Sequence, residues 1–149
     1  MSEEQKKENK NKWVIDKQTA EEEFARFCEA WEIDDDVDEM KEEDREDFNG
    51  LKNKVTTAIK RGRLIFNSDD TFEYKVSKHS KDKEGDKLTI SPPKGEAFME
   101  TDRHKEKELM KKSFSFLANM TGKSVPYFHN LNAIDIRPIQ AIMTLSLAG

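Results

Sequence analysis

The chain has 149 residues, enough for one domain with a small appendage, with 34% hydrophobic and 38% charged residues and a net charge of −5. Apolar content is lean and charge is rich for a globular domain, so the expected core is modest and part of the chain is expected to stay solvated. A single cysteine, Cys28, excludes an intramolecular disulfide framework, and no apolar run reaches the roughly 18 residues of a membrane span. With the polar start from Met1 to Lys12, which lacks the pattern of a signal peptide, these features predict a cytoplasmic protein without a membrane segment.

Charge falls into blocks. Asp16 to Asp47 holds 16 acids against 4 bases, a balance of −12. Gly50 to Lys112 holds 16 bases against 11 acids, a balance of +5. From Ser113 to Gly149 only Lys123, Asp135 and Arg137 are charged. Such blocks mark partner surfaces more often than catalytic sites.

In chain order, residues 1–12 form a Lys/Glu/Asn-rich tail with nothing periodic to bury, expected to be disordered. Residues 13–62 are expected to be an acidic helical region. Thr19 with Glu22 matches a capping box, and Ala20, Phe24, Phe27, Cys28 and Trp31 recur at helical spacing. Ile33 to Asp38 breaks that helix. A second helix carries Met40, Phe48, Leu51, Val55, Ala58 and Ile59 on one stripe and ends at Gly62, with Lys60 and Arg61 near the negative end of its dipole.

Residues 63–149 are expected to form an α+β region ending in apolar helices and packed with the preceding helices. The period switches to two at Leu64 and Phe66, and again at Phe72, Tyr74 and Val76, around the turn residues Asn67 to Asp70. Ser77 to Asp86 is a charged loop, and Lys87 to Ser91 a third strand stopped by Pro92-Pro93. A third helix, starting near Glu96 or after Thr101, has Leu109, Met110, Ser113, Phe114, Leu117 and Met120 on one face and ends at Gly122. Ser124 is placed to cap a short helical turn with Pro126 in it, and Asp135 to cap the last helix. The predicted fold is α+β, a small antiparallel sheet between N-terminal helices and a C-terminal helical region.

No motif builds an active site. Thr121-Gly122-Lys123-Ser124 resembles the end of a phosphate-binding loop, but the glycine required at position 117 is Leu117, and the stretch follows a helix instead of a strand. Asp34, Asp36 and Asp38 resemble the start of a calcium loop, but its sixth position is Glu39 and its twelfth Arg45. His79, His104 and His129 lack metal-ligand spacing, and Cys28 on an apolar helical stripe is a core residue. Lys60-Arg61-Gly62-Arg63 beside Phe66, Phe72 and Tyr74 has the composition of a nucleic-acid site, which the acidic balance of the chain opposes. Neither a cofactor nor enzymatic activity is expected.

From Lys87 to Gly149, about two fifths of the chain, an ordered series of short motifs resembles the tail assembly chaperones of long-tailed bacteriophages. A short strand and proline break, Lys87-Leu88-Thr89-Ile90-Ser91-Pro92-Pro93, leads to a helix ending Phe116-Leu117-Ala118-Asn119-Met120-Thr121-Gly122. An apolar turn, Val125-Pro126-Tyr127-Phe128, a Leu131 to Asp135 step and a last apolar helix from Ile139 follow. The acidic helices from Asp16 to Ile59 have no counterpart in that family. The resemblance implies a phage or prophage protein that binds tape measure protein and keeps it soluble until tail tube subunits polymerise around it, without a cofactor. In many phages a programmed frameshift near the end of such a gene extends a fraction of the product; if that holds here, this chain is the shorter form. The alternative expectation is an acidic regulatory adaptor or nucleic-acid mimic.

The last helix is mostly apolar all round, which predicts that part of it meets another chain, a partner or a second copy. Ile139, Ile142, Met143, Leu145 and Leu147 are the candidate binding residues. Met40, Met99, Met110, Met120 and Met143 are candidates for adaptable apolar surface or for core filling.

Overall fold

The computed structural model describes residues 13–95 and 109–148. Residues 1–12, expected to be a disordered tail, and residues 96–108, where the third helix is expected to start, lie outside the described residues. Helix α1 (Lys17–Ala30) buries Ala20, Phe24, Phe27 and Cys28, the stripe predicted for it. Its cap is Asp16 and not Thr19: the Thr19 amide donates to the Asp16 carboxylate at 2.7 Å. A carboxylate placed there accepts an amide hydrogen and also answers the helix dipole.

Helix α1 stops at an unusual residue. Glu32 takes a left-handed φ of 55°, the Ile33 amide donates to the Cys28 carbonyl at 2.8 Å, and the Glu32 amide donates to Glu29. This is a Schellman ending with glutamate where glycine is usual. Ile33 closes over the end and is buried. A short 3₁₀ turn, Val37–Glu39, leads to helix α2 (Glu42–Lys60). Met40 precedes α2, and Glu42, Glu43 and Asp44 occupy its first turn. Its C-terminus forms where expected. Gly62 has φ 76°, and the Arg63 amide reaches back to Ala58. A Cβ at Gly62 would meet Val14 at 3.2 Å.

Strands β1 (Leu64–Phe66), β2 (Phe72–Lys75) and β3 (Lys87–Ile90) form an antiparallel sheet in that order. Leu64 pairs with Tyr74, Phe66 with Phe72, and Phe72 and Tyr74 with Ile90 and Leu88. All six side chains are buried, whereas Ile65, Lys75, Lys87 and Thr89 on the alternate positions are exposed. The two-residue period therefore places one face of the sheet on the helices and leaves the other to solvent.

Helices α3 (Leu109–Thr121), α4 (Val125–His129) and α5 (Ala133–Ala148) complete the fold. Gly122 ends α3 in the left-handed region, as expected. Ser124 holds the N-cap position of α4 but makes no side-chain capping bond. Helix α5 begins earlier than expected, because the Asn132 side chain accepts from the Ile134 amide at 2.9 Å. Pro138 consequently stands inside the helix.

One core runs from Ala20 to Leu145 and includes residues of all three strands. Phe27 sits among Trp31, Phe66 and Phe72 at ring distances of 4.9, 6.1 and 4.8 Å. Helix α2 packs along α5 and also touches α1 and β1, so the acidic helices share the core of the α+β region. The Ser91 amide donates to the Met120 carbonyl at 2.8 Å and ties β3 to the end of α3.

Candidate functional site

Two places combine a cavity with chemistry that a partner would recognise, and both use α2. At its N-terminal half lies a groove of about 480 Å³ between the end of α1, α2 and the last turns of α5. Ile33, Met40, Phe48, Leu51 and Leu145 supply apolar surface, and Asp34, Asp44 and Asp47 form the rim. Ile33, Phe48 and Leu145 are buried floor, while Met40 and Leu51 are half-buried. Local structure explains the arrangement. The Schellman turn carries Ile33 and Asp34 over the end of α1. Spacings of three and four put Asp44, Asp47, Phe48 and Leu51 on one face of α2. The Arg45 guanidinium donates to the Val37 and Met40 carbonyls at 2.9 and 3.3 Å and fixes the approach to the helix. Among the described residues the ion pairs are Lys52–Glu21 and Arg26–Glu23, and neither involves Asp34, Asp44 or Asp47.

The second place is set by Asp135. Its carboxylate is wholly enclosed and accepts from the Tyr74 hydroxyl (2.6 Å), the Ser77 amide (2.9 Å), the Ser77 hydroxyl (2.9 Å) and the Ser80 hydroxyl (2.6 Å). The Asn132 amide donates to the Ser80 hydroxyl at 2.8 Å. Asp135 is therefore not the cap of α5; it lies in the first turn with its side chain drawn into the core by donors from β2 and the following loop. Burial alone would raise its pKa, but the hydrogen bonds from Ser80, Tyr74 and Ser77 outweigh it and hold the carboxyl below the usual range. Burial and the neighbouring carboxylate push the Tyr74 phenol far up, so it stays a donor. The network clamps the 77–80 loop to α5 and keeps Tyr74 at the edge of a cationic cleft between α2, β2 and α5.

The predicted binding residues on α5 separate. Ile139 and Ile142 are completely enclosed, and Met143 and Leu145 are also buried. Leu145 reaches the groove from its floor, and Met143 faces α3, where its sulfur accepts from the Ser113 hydroxyl at 3.9 Å. Leu147 is exposed. The apolar character of α5 thus goes mainly into this chain's own core, against α2 and α3. Met120 is core as well, Met40 lies at the groove, and the side chains of Met99 and Met110 fall outside the described residues.

The weighed motifs fall into structural roles. Gly122 and Lys123 follow the end of α3, and the Lys123 ammonium lies 5.4 Å from the Tyr127 ring. Within Asp34 to Asp38 the Asp36 amide donates to the Asp34 side chain, and no metal-binding group of His, Cys, Asp and Glu occurs among the described residues. Cys28 is buried, and burial, with a smaller contribution from Asp35, pushes its thiol up to about 12. His129 packs edge-on against Phe114, His79 is exposed, and His104 lies outside the described residues. Phe66, Phe72 and Tyr74 are core and offer no stacking face to the basic residues beside them; Lys60 and Arg61 instead lie over the Trp13 ring, at 4.5 and 5.8 Å from its centre. Among the described residues no helix is long and apolar enough to cross a membrane.

Sequence reasoning named Met40, Phe48 and Leu51 as one stripe but did not join them to Asp34, Asp44 and Asp47. The three-and-four spacing on α2 carried that signal. Asp135 carried one too, as the sole acid between Ser113 and Gly149. No protein-family model, curated protein or solved structure matches this chain.

Proposed function

We propose that this chain is a client-binding protein that holds an apolar helical segment of another protein in the α1/α2/α5 groove, without catalysis. The observation that carries this reading is the groove itself: an apolar floor with carboxylates on its rim. A helix laid in such a groove buries its apolar face on Met40, Phe48 and Leu51 and sets basic residues against Asp34, Asp44 and Asp47. Each anchor side chain buried contributes about 1.5–3 kcal/mol before ordering costs. The acidic exterior of α1 and α2 would keep the complex soluble.

The resemblance of the C-terminal two fifths to tail assembly chaperones names the client, tape measure protein, a long helical and often apolar chain. Under this reading the acidic helices, which that family lacks, form much of the client surface. The alternative, an acidic adaptor or nucleic-acid mimic, draws on the same charge: Glu42, Glu43, Asp44, Glu46 and Asp47 crowd the first turns of α2. It differs in needing no apolar contact.

The test is co-expression with tape measure protein, scored as soluble client. Leu51→Asp, at a half-buried position, is expected to lower client solubility at least tenfold while circular dichroism stays unchanged. Asp44→Lys with Asp47→Lys is expected to weaken binding and flatten its salt dependence. Undiminished client binding by Leu51→Asp would sink the groove, and loss only with the aspartate changes would favour the adaptor.

A further inference from the structure

We propose that the cationic cleft behind Tyr74 binds the phosphate group of a small phosphorylated ligand. The cleft encloses about 330 Å³, at the small end of ligand-site volumes. Lys54 reaches it from the second half of α2, Arg61 from the C-cap of that helix, Arg63 from the lead into β1, and Arg137 from α5. His79, on the clamped loop, completes the mouth. Four permanent cations thus converge from three parts of a chain whose net charge is −5.

No lining residue is an acid. None of the four cations has a carboxylate partner within ion-pair distance among the described residues, where the pairs are Lys52–Glu21 and Arg26–Glu23. The nearest enclosed carboxylate, Asp135, already accepts four hydrogen bonds behind Tyr74 and turns no oxygen to the cleft. Like charges gathered without counter-charge repel one another, and a dianion entering between them removes that repulsion. A phosphate fits the geometry of several guanidinium forks better than a single carboxylate does.

The cleft is also pre-formed. Arg63 is half-buried beside the Tyr74 hydroxyl, and that hydroxyl is held by Asp135 at 2.6 Å. Ala58, Ile134 and Pro138 line the remaining wall and offer apolar surface to the body of the ligand. A bare ion would leave that wall unused. The volume suits a compact phosphate ester and excludes a folded partner; a duplex would need an extended basic surface, whereas α1 and the start of α2 are acidic.

Titration calorimetry on the full chain, at constant ionic strength, separates the sources with two probes, inorganic phosphate and adenosine monophosphate. One saturable site for either supports the inference, and tighter binding of the nucleotide assigns the apolar wall a role. Arg137→Gln and Lys54→Gln, both at exposed positions, should each weaken binding about tenfold or more without changing the melting temperature of the free protein. Lys123→Gln, outside the cleft, should leave binding unchanged. Absence of saturable binding of both probes overturns the inference. So does equal affinity in Arg137→Gln, or binding confined to an oligonucleotide or to polyglutamate. None of these outcomes bears on the α1/α2/α5 groove.

Discussion

Asp135 shows how one side chain decides where a loop goes. An ionised carboxylate buried without partners costs several kcal/mol, and four donors at 2.6 to 2.9 Å offset that cost. Asp135→Asn keeps an acceptor for Tyr74 and the Ser77 amide but turns an NH₂ toward two serine hydroxyls. One of these, Ser80, already accepts from Asn132. The expected loss is about 1.5–3 kcal/mol, the range for hydrogen bonds to a charged group. Asp135→Ala strands the donors and should cost about 3–5 kcal/mol. Urea denaturation of both variants checks the order; equal stability of Asp135→Ala and the parent chain would refute the structural role.

At the scale of the element, α5 illustrates two meanings of an apolar helix. Its residues Ile139 and Ile142 lie between α2 and the rest of the core with no exposed surface, whereas Leu147 near its end is open. Ile142→Asp is therefore expected to unfold the protein, since it places a charge among apolar neighbours. Leu147→Asp should cost under about 0.5 kcal/mol, as surface changes do. Melting curves for the two variants, with sedimentation of Leu147→Asp, decide whether the exposed end also joins copies of the chain. Self-association lost in Leu147→Asp would identify such a contact, and an unchanged monomer would confine α5 to core packing.

The whole molecule is electrically divided along α2. Acids crowd its first turns, the cations Lys54 and Lys60 its second half, and Arg61 its C-cap; Asp44 and Arg61 stand 17 positions apart, roughly 25 Å at 1.5 Å per residue. That order also matches the helix dipole. Stability should carry an acid limb set by Asp135. Its folded pKa is lowered, so its contribution is complete above the unfolded carboxyl value, about 3.9, and is lost as pH falls through the lower folded value. Glu23 acts oppositely: burial raises its pKa, and acidification relieves that penalty. The stability gap between the parent chain and Asp135→Asn should thus stay level from pH 7 to about pH 5 and close below about pH 4. A gap that widens on acidification would reverse the assigned sign.

The α+β class, the three strands with their inward faces, and the ends of α2 and α3 were legible in the sequence. Each depends on local chemistry: a period of two or 3.6, a glycine able to take positive φ, a proline break. Glu32 was not legible as a helix end, because glutamate carries no glycine-like preference; the closing contact of Ile33 selects the conformation. The side-chain direction of Asp135 was not legible either. Its donors lie 55 to 61 residues away in the chain, and only folding brings them together. The same holds for both cavities. The groove joins the end of α1 to the last turns of α5, and the cleft joins α2 to Arg137. Sequence alone settled which faces are apolar and where charge accumulates. Which apolar faces cover one another, and which are left open beside charge, depended on long-range packing that no local pattern encodes.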